Sequence, residues 1–150
     1  MSTLPSHSPS KVTIQVTRDF TVPPERVFDA WLDPKSAGHW LFATPAGRIK
    51  RVEIDGRVGG NFTIVDQREG TDIEHTGTYE TIDRPRRLVF TFLVPKYSSD
   101  ATKVALDITP APGGCHLTLT HEGVWADYAE RTKQGWTKML DELSLILSRT

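Results

Sequence analysis

Val12, Ile14 and Val16 fall on one face of residues 11–19, and Lys11, Thr13, Gln15 and Thr17 on the other. A period of two predicts a half-buried strand. Thr21-Val22-Pro23-Pro24 ends it and opens a helix, since proline costs nothing in a first helical turn. Val27, Phe28, Ala30 and Trp31 form the apolar face of that helix, and Asp33-Pro34 stops it. A short helical turn over 35–41 carries His39 and Trp40.

Six more strands are expected beyond residue 50. Segment 51–55 turns Val52 and Ile54 inward, and 61–67 puts Phe62, Ile64 and Asp66 on one face. Segment 72–82 follows, then 87–94, where Leu88, Phe90 and Phe92 oppose Val89 and Thr91. Segment 102–109 carries Val104, Leu106 and Ile108, and 115–122 carries Leu117, Leu119 and His121. Glycine- and proline-rich turns at 56–60, 83–85 and 110–114 and loops at 68–71 and 96–101 separate them, which predicts an antiparallel meander. The last segment changes period. Trp136, Met139, Leu140, Leu143, Ile146 and Leu147 recur at helical spacing, giving a helix over about 127–148. At 1.5 Å per residue it is about 30 Å long, enough to cross a strongly twisted sheet. The fold class is therefore α+β: a curled antiparallel sheet of six to seven strands around a long C-terminal helix, with two short helices after the first strand. A pocket is expected between helix and sheet.

Composition narrows the partners. The 150 residues suit one domain, placed over 11–150 behind a disordered lead-in at 1–10. Lys plus Arg number 18 against 19 Asp plus Glu, so no global basic field draws nucleic acid or an anionic membrane. No apolar run reaches the ~20 residues of a membrane helix, and the N-terminus does not read as a signal peptide, which makes the cytoplasm the default location. The single cysteine, Cys115, reads as an inert thiol, with His116 on the opposite strand face.

Several segments together resemble a known family. They are Val22-Pro23-Pro24-Glu25-Arg26-Val27-Phe28-Asp29-Ala30-Trp31, the Asp33-Pro34 to Trp40 stretch, Gly59-Gly60-Asn61-Phe62, Gly77-Thr78-Tyr79-Glu80, Pro85-Arg86-Arg87-Leu88-Val89-Phe90-Thr91-Phe92, Thr118-Leu119-Thr120-His121-Glu122-Gly123 and Gly135-Trp136. In this order they resemble homologues of the activator of the heat-shock-protein-90 ATPase, in the START-like or SRPBCC superfamily. The resemblance covers about residues 11–149 and implies a helix-grip fold with a deep cavity. Family members include stress-linked bacterial proteins of unassigned activity; the superfamily includes lipid carriers, hormone receptors, polyketide cyclases and aromatases. The family name suggests chaperone regulation, but the eukaryotic activators carry a further domain for that contact, for which 150 residues leave no room.

The first functional reading is a binding module for a small hydrophobic or aromatic molecule, acting as monomer or homodimer. Its candidate apolar lining is Trp40, Phe62, Ile64, Tyr79, Phe90 and Phe92, with Leu106, Leu119, Trp136 and Leu140. Asp66, His75 and His121 share the inward phase and supply polar groups, either orienting a ligand or sitting wet at the sheet rim. A second reading is a cyclase, hydratase or hydrolase using those three as acid–base groups. A third is a protein-interaction module. The three polar residues match no metal-ligand spacing, so no metal or other cofactor is expected. The aromatic surplus, 4 Trp and 6 Phe, serves either a solid core or a pocket wall. The Arg84-Pro85-Arg86-Arg87 cluster reads as a solvated turn.

Overall fold

A computed structural model describes residues 10–43, 47–97 and 100–148. Its order is β1 (Lys11–Phe20), α1 (Pro24–Leu32), α2 (Pro34–Trp40), β2 (Arg48–Ile54), β3 (Asn61–Arg68), β4 (Thr71–Asp83), β5 (Arg87–Phe92), β6 (Thr102–Ala111), β7 (Gly114–Trp125) and α3 (Ala129–Ser148). The sheet is antiparallel throughout, ordered β1-β7-β6-β5-β4-β3-β2. β2 to β7 form the meander, and β1 joins its far edge beside β7. Residues 1–9 of the expected lead-in lie outside the described residues; the Ser10 carbonyl accepts from the Ala126 N–H.

Local chemistry explains the elements. Pro24 opens α1, and the Asp33 side chain caps α2 by accepting from the Lys35 N–H at 3.0 Å. β2 begins at Arg48, three residues before the expected start. The alternation of Ile49 is broken there by a register shift between Ile49 and Arg51. β7 runs past Glu122 to Trp125, because Gly123 takes a left-handed φ of 83° at an irregularity opposite β1. The last helix starts later than expected, since Ala126–Tyr128 forms a 3-10 turn before α3.

The core lies between the concave sheet face and the helices. Trp31, Phe28, Leu106, Leu117, Leu119, Leu140 and Leu143 are almost wholly buried in it. Cys115 is buried too, and burial pushes its thiol upward, away from reactivity. Its neighbour His116 instead meets Asp19 on β1.

One irregularity shapes the cavity described below. β4 pairs with β3 along its first half and with β5 along its second, where the ladder runs from Asp83–Arg87 to Tyr79–Phe90. At Gly77 the strands approach so closely that a Cβ would sit 1.8 Å from the Thr91 carbonyl oxygen. A last bridge joins Thr76 to Leu93. Ile73 on β4 and Val94 after β5 lie beyond the end of that ladder, and both line the cavity.

Candidate functional site

A cavity of about 860 Å³ opens between the N-terminal half of α3, the end of α2 and the β4–β5 side of the sheet. That is within the usual range for small-molecule sites. Its apolar wall comes from Phe42, Ile73, Phe92, Val94, Trp136 and Met139. Strand alternation sends Ile73 and His75 to the same face of β4. Helical spacing brings Gly135, Trp136 and Met139 to the facing side of α3.

Phe42 follows α2 with a left-handed φ of 59°, a conformation that costs a non-glycine residue about 1 kcal/mol or more. Its backbone N–H points to Met139 Sδ at 3.1 Å on α3. The result places the Phe42 ring flat against His75, 4.5 Å between centroids and 5° between planes. It also lies flat against Phe92, at 4.9 Å and 4°.

His121 sits behind Trp136 in a directed chain of hydrogen bonds. The Trp136 indole N–H can only donate, so Nδ1 of His121 accepts, at 3.0 Å. The ring proton is therefore assigned to Nε2, which donates to Thr102 Oγ1 at 2.7 Å. The Thr102 hydroxyl in turn donates to the Phe92 carbonyl at 2.9 Å. Both ring nitrogens are engaged, and burial lowers the His121 pKa to about 4. This imidazole is a neutral clasp between α3, β7 and β6.

His75 borders the cavity. Its Nδ1 lies 3.2 Å from the Ile64 carbonyl, which requires that nitrogen to carry the proton. Burial lowers its pKa to about 4, against the smaller upward pull of that carbonyl. Beside it, Asp66 is fully buried and accepts from Arg68 Nε at 2.6 Å, while Arg68 itself reaches the cavity wall. Such a buried carboxylate needs a paired charge, which Arg68 supplies.

Of the residues expected at a pocket, Trp40, His75, Phe92 and Trp136 line this cavity. Ile64, Leu106, Leu119 and Leu140 are packed into the core and do not line it. Phe62, Tyr79 and Phe90, together with Trp31, border a separate void of about 10 Å³, room for at most one water. Burial pushes the Tyr79 hydroxyl's pKa upward. Asp66, His75 and His121 are buried, at 0%, 5% and 3% exposure, so none of them is a wet rim residue. Phe42, Arg68, Ile73 and Met139 line the cavity outside the expected set, Met139 from the apolar face already read for the last helix. Phe42 stands in no periodic segment. Arg68 continues the Phe62, Ile64, Asp66 phase by two residues, a signal that was there to follow. Among the described residues, no group of three or more His, Cys, Asp or Glu side chains is arranged to hold a metal ion. No helix there is long and apolar enough to cross a membrane. The Arg84, Arg86 and Arg87 side chains pair with Asp29, Asp83 and Asp107 respectively.

The family model described as Activator of Hsp90 ATPase homolog 1-like protein matches residues 21–148. No curated protein matches the chain. Solved structures do. A protein of Chromobacterium violaceum is 26% identical, with a TM-score of 0.83 over 89% of this chain and 95% of that one. A protein of Rhizobium leguminosarum is 24% identical, with a TM-score of 0.82 over 94% and 97%. An AHSA1-like protein of Aeromonas hydrophila is 22% identical, with a TM-score of 0.78 over 92% and 93%.

Proposed function

Since the chain belongs to the family of Activator of Hsp90 ATPase homolog 1-like proteins, we propose that it binds a small hydrophobic molecule in the cavity between α3 and the sheet. The cavity itself is the observation that carries this reading: about 860 Å³, walled by Phe42, Phe92, Trp136 and Met139. Apolar surface of that kind favours an apolar ligand at roughly 25 cal/mol per Å² removed from water. Acid–base chemistry has less support. His121 has no ring nitrogen left over, and the Asp66 carboxylate is committed to Arg68. For a protein-interaction role, the large apolar side chains exposed among the described residues are Val58, Tyr97, Tyr128 and Leu145, carried by four separate segments.

Thermal shift with fatty acids, flavonoids and polyketide-like aromatics tests the proposal. A ligand at 100 times its Kd adds about 2.7 kcal/mol, which for this size raises Tm by about 5–10 °C. A Tm unmoved by all three classes contradicts the reading.

A further inference from the structure

We propose that the cavity takes a planar aromatic acid, its ring packed against the Phe42–His75–Phe92 set and its carboxylate held at the Arg68 guanidinium. This rests on the small-molecule reading above and narrows it to a chemical class.

Planarity comes from the rings. Phe42, His75 and Phe92 are parallel within 5° of one another. His75 and Phe92 are 6.0 Å apart, while Phe42 is nearer to each of them than they are to one another. Phe42 thus covers a two-ring platform. All three line the cavity, so it contains a set of flat surfaces with one common orientation. A flat aromatic ring extends such a set at van der Waals distance. A saturated ring, thicker and puckered, does not.

The acid comes from the charges. Arg68, Arg131 and Lys138 line the cavity against Asp141 and Glu142. Asp141 is already paired with Arg18 of β1. Asp66, wholly buried, grips Arg68 by Nε and so fixes the guanidinium at the wall. A guanidinium has five N–H donors in a rigid fork, more than one carboxylate consumes, so Arg68 keeps donors for a second anion. A wholly apolar ligand would strip water from Arg68 and give back no hydrogen bond, a loss that discriminates strongly against it.

The test is isothermal titration calorimetry of the full chain with three matched probes: 2-naphthoate, 2-naphthamide and decalin-2-carboxylate. At low ionic strength 2-naphthoate is expected to bind at least tenfold more tightly than either of the others. Arg68→Lys keeps a cation beside Asp66 but removes the fork. It should weaken 2-naphthoate at least fivefold and leave 2-naphthamide within twofold. If Arg68→Lys does not fold, the three probes on the unaltered protein still decide. Equal affinity for naphthoate and naphthamide overturns the acid while leaving the small-molecule reading in place. Equal affinity for naphthoate and decalin carboxylate overturns the planar ring. Heat from none of the three overturns this inference, and together with an unmoved Tm in the wider panel it takes the small-molecule reading with it.

Discussion

Acid should unfold this protein through its two buried histidines. His75 and His121 each ordinarily titrate near 6.5, and burial lowers both to about 4 in the fold. Above pH 6.5 the ring is neutral in both the folded and unfolded chains, and neither histidine makes stability depend on pH. Below it, the unfolded chain takes up protons that the fold refuses. Stability therefore falls as pH falls, by at most about 1.2 kcal/mol per pH unit per histidine. Near pH 4 each accounts for about 3 kcal/mol lost, so the two together approach the ~5–15 kcal/mol of a whole domain. For His121 the geometry gives a reason beyond burial. A proton on Nδ1 would face the Trp136 indole N–H, donor against donor, at 3.0 Å. The assay is urea unfolding of the wild type, His75→Gln and His121→Gln at intervals from pH 7.5 to 4.5. Each variant should lose part of the acid slope, at most about 1.2 kcal/mol per pH unit and greatest at about pH 5.2, midway between the unfolded and folded pKa values. Variant slopes equal to that of the wild type would refute the reasoning, because they would mean that the folded rings protonate as freely as the unfolded ones.

Other outcomes follow from single contacts. Trp136→Phe keeps the ring but removes the donor, leaving Nδ1 of His121 buried and unmatched; chemical denaturation should show a loss of about 1–3 kcal/mol. Arg68→Met removes the charge paired with the buried Asp66 carboxylate and should cost about 3–5 kcal/mol, whereas the double change with Asp66→Leu should recover most of it in the same assay. Gly135→Leu projects into open space, since a Cβ there meets nothing within 4 Å, and it lies on the cavity wall. It should raise stability by about 0.5–1 kcal/mol through helix propensity while abolishing ligand-induced thermal shift.

Much of this architecture was legible in period alone. The alternations of β1 and β3 and the Trp136, Leu140, Leu143 spacing of α3 placed those elements close to where they lie, because burial on one face imposes the pattern. Boundaries failed where backbone geometry, not side-chain polarity, decides them: the register shift in β2, the left-handed Gly123 in β7 and the 3-10 turn before α3. The site was less legible for a related reason. Inward phase marks what faces the helix, but it does not say where helix and sheet touch and where they part. Phe62, Leu106 and Leu119 share that phase with Phe92 and still belong to the packed core. The ladder between β4 and β5 ends near Gly77, and that ending, a matter of long-range pairing, puts Ile73, His75 and Phe92 beside a cavity. Phe42 depends on a contact across 97 positions of sequence, which no local pattern announces.

The central claim is that this cavity is where a ligand sits. The most direct measurement is a two-dimensional ¹H–¹⁵N NMR titration of the four tryptophan indole N–H signals with 2-naphthylmethanol, a neutral probe. Trp40 and Trp136 line the cavity, whereas Trp125 does not and lies instead under Lys11 at the end of β7. The account predicts saturable shifts of the Trp40 and Trp136 signals with Trp125 unmoved. Shifts confined to Trp125, or no shift at saturating probe, would contradict it.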